Sequence, residues 1–217
     1  MKKQLISFEG LDGSGKTTLI SKLKHHLEST NNLVKTIQGL GDSCVGNTIR
    51  DLFLHHPKVT SNTKYLLSLA NMIQTQEELI TPSLLQGYII LIDRWFDSTY
   101  TYQSKANCID YDDKITTNII NHFLIKPDII FYLDINPKTS LNRKSNQLNH
   151  KLDLIEQKPI SYFENVRRYY LNKYQYCTNS KCKHLKCNHF LIDANNSQKI
   201  ILQQIIQILT TKNQRKD

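Results

Sequence analysis

The chain has 217 residues, 39% of them hydrophobic and 22% charged, with a formal net charge of +9. That length can bury the core of one large α/β domain, and no apolar run approaches the roughly 20 residues that a membrane span needs. Five cysteines, an odd number, argue against a secreted disulfide framework, and MKKQLISFEG lacks a signal-type apolar stretch, so a cytoplasmic location is expected.

In chain order, QLISFE reads as the first strand and GLDGSGKTT follows it at residues 10–18. The spacing Gly10, Gly15, Lys16, Thr17 fits the phosphate-binding loop G-x-x-x-x-G-K-[ST]. Three of the seven glycines, Gly10, Gly13 and Gly15, fall in this loop. Because these glycines lack Cβ atoms, the loop, with Asp12 and Ser14 among its residues, can turn backbone N–H groups onto a phosphate, and a helix N-terminus adds favourable potential. Lys16 is expected to reach the β- and γ-phosphates of ATP, Thr17 to ligate Mg²⁺, and Thr18 to complete the cofactor site. Leu19, Ile20, Leu23 and Leu27 mark one face of the helix that the loop opens.

LVKTI reads as a second strand, and Leu66, Leu67, Leu69, Met72 and Ile73 as the apolar positions of a helix. YIILID is a third strand that runs straight into DRWFDSTYTYQ, residues 93–103. A charged pair at the end of a buried strand is poised at the edge where α/β crevices form. Arg94 can clamp an acceptor phosphate in a fork, and Asp93 can hold a Mg²⁺-bound water or orient the arginine. Ile119, Ile120, Phe123 and Leu124 mark a further helix, DIIFYLD and HFLID two more strands, and Ile201, Leu202, Ile205, Ile206 and Leu209 a terminal helix. Alternation of this kind predicts one domain over 1–217, with a parallel five-stranded sheet covered by helices on both faces. The excess positive charge concentrates in residues 138–186, where eleven Lys and Arg face three acids. That stretch is either a solvated basic face or a contact for small polyanions. Its aromatics are not interleaved as stacking platforms, so nucleic acid is not an expected partner.

Residues 176–190, YCTNSKCKHLKCNHF, gather Cys177, Cys182, His184, Cys187 and His189. Four of them, Cys177, Cys182, Cys187 and His189, could supply a structural Zn²⁺ site, although the spacing is not that of a standard finger; the alternative is a lysine-rich hairpin with reduced thiols.

Taken together, FEGLDGSGKTT and DRWFDSTYTYQ resemble the thymidylate kinases, a family of P-loop nucleoside monophosphate kinases, and the resemblance covers almost the whole chain. It implies a three-layer P-loop fold with a lid over about 143–156, ATP·Mg²⁺ as donor, and dTMP as the favoured acceptor. The alternatives are a kinase of altered base preference and a weakly active or non-catalytic nucleotide-binding relative. By the same resemblance Asp12 would approach the acceptor's sugar 3′-hydroxyl and Arg94 would hold its phosphate. Ser98 and Thr99 would line the base pocket, Tyr102 would lie against the sugar, and Gln103 would complete the pocket. Gly46 and Arg50 match the family's G-x-x-I-R. A homodimer is also implied.

Three departures stand out. Gln38 occupies the place of an arginine that helps bind acceptor phosphate. Ser68 and Met72 occupy the places of a phenylalanine that stacks the thymine ring and an arginine that reads its carbonyl. Leu154 replaces a lid arginine, which leaves Arg143, Lys144 and Lys151 as candidates for the charge-neutralising catalytic finger, with Arg143 assigned. The segment at about 176–189 has no counterpart in the family and reads as an insertion.

Overall fold

The computed structural model describes residues 2–104, 113–146, 153–178 and 188–214. All five apolar runs form strands: β1 Gln4–Gly10, β2 Val34–Gln38, β3 Ile89–Asp93, β4 Ile129–Asp134 and β5 Asn188–Asp193. They pair parallel throughout, in the order β2-β3-β1-β4-β5. Every residue of β1 is buried, as a central strand covered on both faces requires. Alternate residues go to opposite faces. Ile6, Phe8, Ile89, Leu91, Phe131 and Leu133 join one apolar cluster, and Leu5, Ile90, Ile92 and Ile130 join the other. Each such side chain, fully removed from water, contributes about 1.5–3 kcal/mol.

The helices supply the layers. α1 (Lys16–Ser29) leaves the phosphate-binding loop and buries Leu19, Ile20, Leu23 and Leu27 as the spacing predicts. α2 (Gly46–His55) and α3 (Ser61–Thr75) follow, the latter capped by the Thr60 hydroxyl, which accepts from Thr63 N–H. α3 continues through a π-helical turn, Gln76–Ile80, into α4 (Thr81–Leu85). Beyond β3 come the single turn α5 (Phe96–Ser98), a π-helical stretch Thr99–Ser104, and α6 (Asp113–Phe123). α7 (Pro137–Ser145) starts at Asn136, whose side chain accepts from Lys138 N–H, with Pro137 in its first turn. α8 (Ile160–Thr178) and α9 (Gln198–Gln214) complete the chain, and α9 packs on α1.

Of the apolar positions read for α3, Leu69 and Met72 lie on its buried face, whereas Leu66 does not. Tyr65, Ser68, Leu69, Asn71, Met72 and Thr75 are buried, whereas Leu66 is 59% exposed. Half of that buried face is polar because it looks into a cleft rather than into a greasy core. No helix among the described residues is long and apolar enough to cross a membrane.

Candidate active site

The register brings the carboxyl ends of four strands to one edge of the sheet. Phe8 pairs with Asp93, Asp93 with Gln38, and Gly10 with Leu133. A cleft of about 610 Å³ opens above this edge, where ligand crevices of α/β sheets form. One end is lined by the phosphate-binding loop with Thr17, Thr18, Asn196, Ser197 and Gln198, the other by Arg50, Phe53, Ser68, Asn71, Met72, Arg94 and Tyr102.

The loop between β1 and α1 depends on its glycines. Gly10, Gly13 and Gly15 have φ of 136°, 77° and 88°, values that L side chains rarely adopt. A Cβ on Gly13 would sit 2.5 Å from the Ser140 carbonyl, so the loop is also pressed against α7. Ser140 Oγ donates to the Asp12 carbonyl from the same side. Lys16 Nζ donates to the carbonyls of Gly10 (3.2 Å) and Leu11 (2.9 Å) across the loop. Burial, with the Arg94 guanidinium nearby, lowers its pKa to about 8. The Ser14 hydroxyl is buried under the loop without a hydrogen-bond partner.

Thr17 Oγ1 donates to Asp93 Oδ2 at 2.9 Å, while Asp93 Oδ1 is buried with no hydrogen-bond partner. A hydroxyl oxygen and an unsatisfied carboxylate oxygen side by side suit Mg²⁺, a hard ion that takes one or two protein oxygens and otherwise water and phosphate. The residues present therefore fit the metal.

The acceptor end centres on Arg94. Its φ is +69°, a strained value for a residue with a side chain. The strain is held from both sides. Arg94 N–H donates to Phe8 O at 3.0 Å, and a Cβ on Gly39 would lie 1.9 Å from the Arg94 carbonyl. The guanidinium donates to Asp12 Oδ1 (2.8 Å) and Ser98 Oγ (3.2 Å) and lies 4.9 Å from the Tyr102 ring centroid. Burial opposes the charge on both partners, but the surrounding groups together outweigh it: Arg94 and Lys16 hold Asp12 well below the usual carboxylate range, and Asp12 with its neighbours holds Arg94 well above its own. The π-helical stretch delivers Tyr102 to this place, where burial pushes its phenol up beyond titration; such turns recur at functional sites. Replacing Gly39 by Ala is expected to lose about 1–3 kcal/mol of stability and to raise the KM for acceptor more than that for ATP, because the added methyl group displaces Arg94. Chemical denaturation and two-substrate kinetics check both.

The structure brings together Asp12, Lys16, Thr17, Asp93, Arg94, Ser98, Thr99, Tyr102, Ser68, Met72 and Arg50, all lining the cleft. Some are engaged differently from expectation. Ser98 spends its hydroxyl on Glu9, Tyr170 and Arg94. Thr99 Oγ1 donates to Met72 Sδ at 3.4 Å. Arg50 Nη1 donates to the Leu40 carbonyl at 3.0 Å. Arg143 lines the cleft but its Nη1 donates to Ala194 O at 3.1 Å, and Lys144 pairs with the buried Glu156 at 3.3 Å. In the segment read as a lid, Leu154 N–H donates to Leu54 O at 3.3 Å. Lys151 and the Gln103 side chain lie outside the described residues, as do Cys182, His184, Cys187 and the Cys177 side chain. Among the described residues no group of three or more His, Cys, Asp or Glu could hold a metal ion, and apart from His189 the residues read as zinc ligands lie outside them. His189 instead faces Asp97, Nε2 to Oδ2 3.8 Å.

Sequence reasoning missed Asn71, which is fully buried at the cleft floor. Its amide donates to Gly39 O (2.8 Å) and accepts from Ser43 Oγ (2.7 Å), tying α3 to the loop after β2. The available signal was an amide among Leu69, Met72 and Ile73 at helical spacing. It also missed Phe53 and Gln198, whose Nε2 would lie 2.3 Å from a Cβ on Gly15.

A profile of the thymidylate kinase family matches residues 8–205. The thymidylate kinase of Thermosipho africanus is 34% identical over 205 residues, spanning 94% of this chain and 96% of that protein. That of Chlorobaculum parvum is 36% identical over 174 residues, spanning 76% of this chain and 80% of its own. That of Acholeplasma laidlawii is 36% identical over 170 residues, covering 76% and 82%. With the phosphate-binding loop, the Asp-Arg strand end and the parallel sheet all in register, the chain belongs to the thymidylate kinase family.

Proposed function

We propose that the protein transfers the γ-phosphoryl group of ATP to the phosphate of dTMP, forming dTDP, and that residues 1–217 act as one kinase domain. The observation that carries this reading is the placement of Arg94, charged and aimed into the same cleft as Lys16, Thr17 and Asp93. A cleft with only a donor end would fit a hydrolase. A second buried cation at the far end fits an acceptor that already bears phosphate.

Phosphoryl transfer asks for positioning and charge neutralisation more than for covalent help. Lys16, released from the carbonyls of Gly10 and Leu11, is long enough to meet the β- and γ-phosphates. Thr17 and Asp93 would hold Mg²⁺, which supplies charge neutralisation between the phosphates. Arg94 would fork the acceptor phosphate and hold it in line with the donor, while Asp12 keeps the guanidinium oriented. Tyr102 offers a ring face for the sugar, and Phe53, Ser68, Met72 and Thr99 a largely apolar bed for the base. Arg143 or Lys144, once freed from Ala194 O or Glu156, would bring positive charge over the phosphates and help exclude water.

The test is ADP production with ATP·Mg²⁺ against a panel of ribo- and deoxynucleoside monophosphates, with thymidine as a control. Turnover led by dTMP is the expected result. Turnover led by another monophosphate would assign the base preference to Ser68 and Met72, and none with any acceptor would sink the reading.

A further inference from the structure

Glu9 has no role in the reaction just described, yet it is held by the groups around Arg94. Its side chain is buried, with 1% exposure. Oε1 accepts from Trp95 N–H at 2.9 Å, and Oε2 accepts from the Ser98 hydroxyl and, at 3.4 Å, from the Tyr170 hydroxyl. Ser98 Oγ lies 2.7 Å from Tyr170 Oη and accepts from Arg94 Nη1 at 3.2 Å. One carboxylate thus anchors both the residue that follows Arg94 in the chain and the hydroxyl to which its guanidinium donates.

We infer that Glu9 is a positioning residue for the acceptor site: its carboxylate orients the Ser98 hydroxyl and, through it, Arg94, so that protonating Glu9 weakens binding of a nucleoside monophosphate. The inference rests on the reading of Arg94 as the acceptor's phosphate clamp.

The reason is the direction of the hydrogen bonds. An ionised carboxylate only accepts, so the Ser98 proton must point at Glu9, which leaves the Ser98 lone pairs free for Arg94. A protonated Glu9 can donate to Ser98 Oγ instead and compete with the guanidinium for the same lone pairs. The groups that face Glu9 are Arg94 and Asp97 from the segment after β3, Lys16 from α1, Tyr102 from the π-helical stretch and Tyr170 from α8. Beyond Asp97 stands Lys173, whose Nζ donates to its Oδ1. Burial first, then the Asp97 charge, raise the Glu9 pKa to about 7, against the pull of Ser98, Trp95 and Arg94. The switch in direction therefore falls near neutral pH.

The experiment is the affinity for dTMP by calorimetry, with ADP·Mg²⁺ present to prevent turnover, from about pH 5.5 to about 8.5. A phosphate monoester has its own second pKa of about 6, so both ionisations favour tight binding. In the wild type log affinity should rise with pH more steeply than the limiting slope of about one that the phosphate alone gives, because loss of the Glu9 proton adds about a further tenfold. In Glu9→Gln the slope should fall to about one, and the plateau affinity should drop about tenfold, while ADP affinity stays unchanged. Equal slopes in the two proteins, or an equal loss of ADP affinity, would overturn the inference. Ser98→Ala gives a second measure if Glu9→Gln does not fold. It removes the hydroxyl through which Glu9 reaches Arg94, so the pH dependence should fall back to that of the phosphate alone, and an undiminished Glu9 contribution would overturn the inference. If dTMP binds with this linkage but is never phosphorylated, the functional reading fails and the positioning role of Glu9 stands.

Discussion

Lys16→Ala should lower kcat by about 10²–10³-fold or more, because it removes the one buried cation of the donor loop from the charge that develops on the transferring phosphoryl group. The fold should survive. Lys16 is 5% exposed, and the hydrogen bonds that its Nζ makes among the described residues go to the carbonyls of Gly10 and Leu11, at the junction of β1 and the loop. Retained near-ultraviolet circular dichroism beside lost turnover is the expected pair of results. A variant with normal kcat would refute the donor assignment. The same residue carries a pH signature. Its pKa of about 8 in the free protein means that the charge needed for binding is lost as pH rises through that value. kcat/KM for ATP should therefore fall above about pH 8. Bound phosphates raise the pKa of a neighbouring ammonium, so kcat at saturating ATP should hold level to higher pH. Coincident profiles would mean that Lys16 does not meet the nucleotide.

Arg94→Ala should lower kcat/KM for the acceptor by about 10²–10³-fold, the worth of a bidentate charged contact with phosphate in a partly buried site. KM for ATP should change little. Arg94→Lys should not restore activity, because an ammonium cannot meet Asp12, Ser98 and a phosphate at once from a +69° backbone. Initial-rate kinetics with each substrate varied in turn separates the two constants. Equal losses for both substrates would indicate that Arg94 supports the whole cleft rather than the acceptor alone. Some loss of stability is also expected. Asp12 is held ionised chiefly by Arg94 and Lys16 against the cost of its burial, and removing the larger of these leaves that cost uncompensated.

The donor site was legible because its chemistry is local. Gly10 through Thr17 are adjacent in the chain, and the positive φ of the three glycines is something that only glycine supplies cheaply. The strands were legible for a similar reason: β1, β3 and β4 are continuous apolar runs, as burial on both faces demands. Arg94 was legible as a charge at a strand end, though not as a residue held in a left-handed backbone by Gly39. The contacts around Glu9 were hidden. Its partners Trp95, Ser98 and Tyr170 lie 86, 89 and 161 residues away, and no local pattern announces a contact at that distance. The polar face of α3 was misread because periodicity reports apolar positions, and Ser68 and Asn71 are buried against a cleft and a loop.

By itself the sequence determined the five strands, the phosphate-binding loop, the Asp93–Arg94 strand end and the family to which they point. These are written in residue type and spacing over short stretches of chain. The tertiary structure alone decided the order β2-β3-β1-β4-β5, the pairing of Thr17 with Asp93, the capture of Arg143 by Ala194 O, and the hydrogen bonds from Trp95 and Ser98 to Glu9. Each of those depends on which distant segments the packed sheet and helices bring within hydrogen-bond reach.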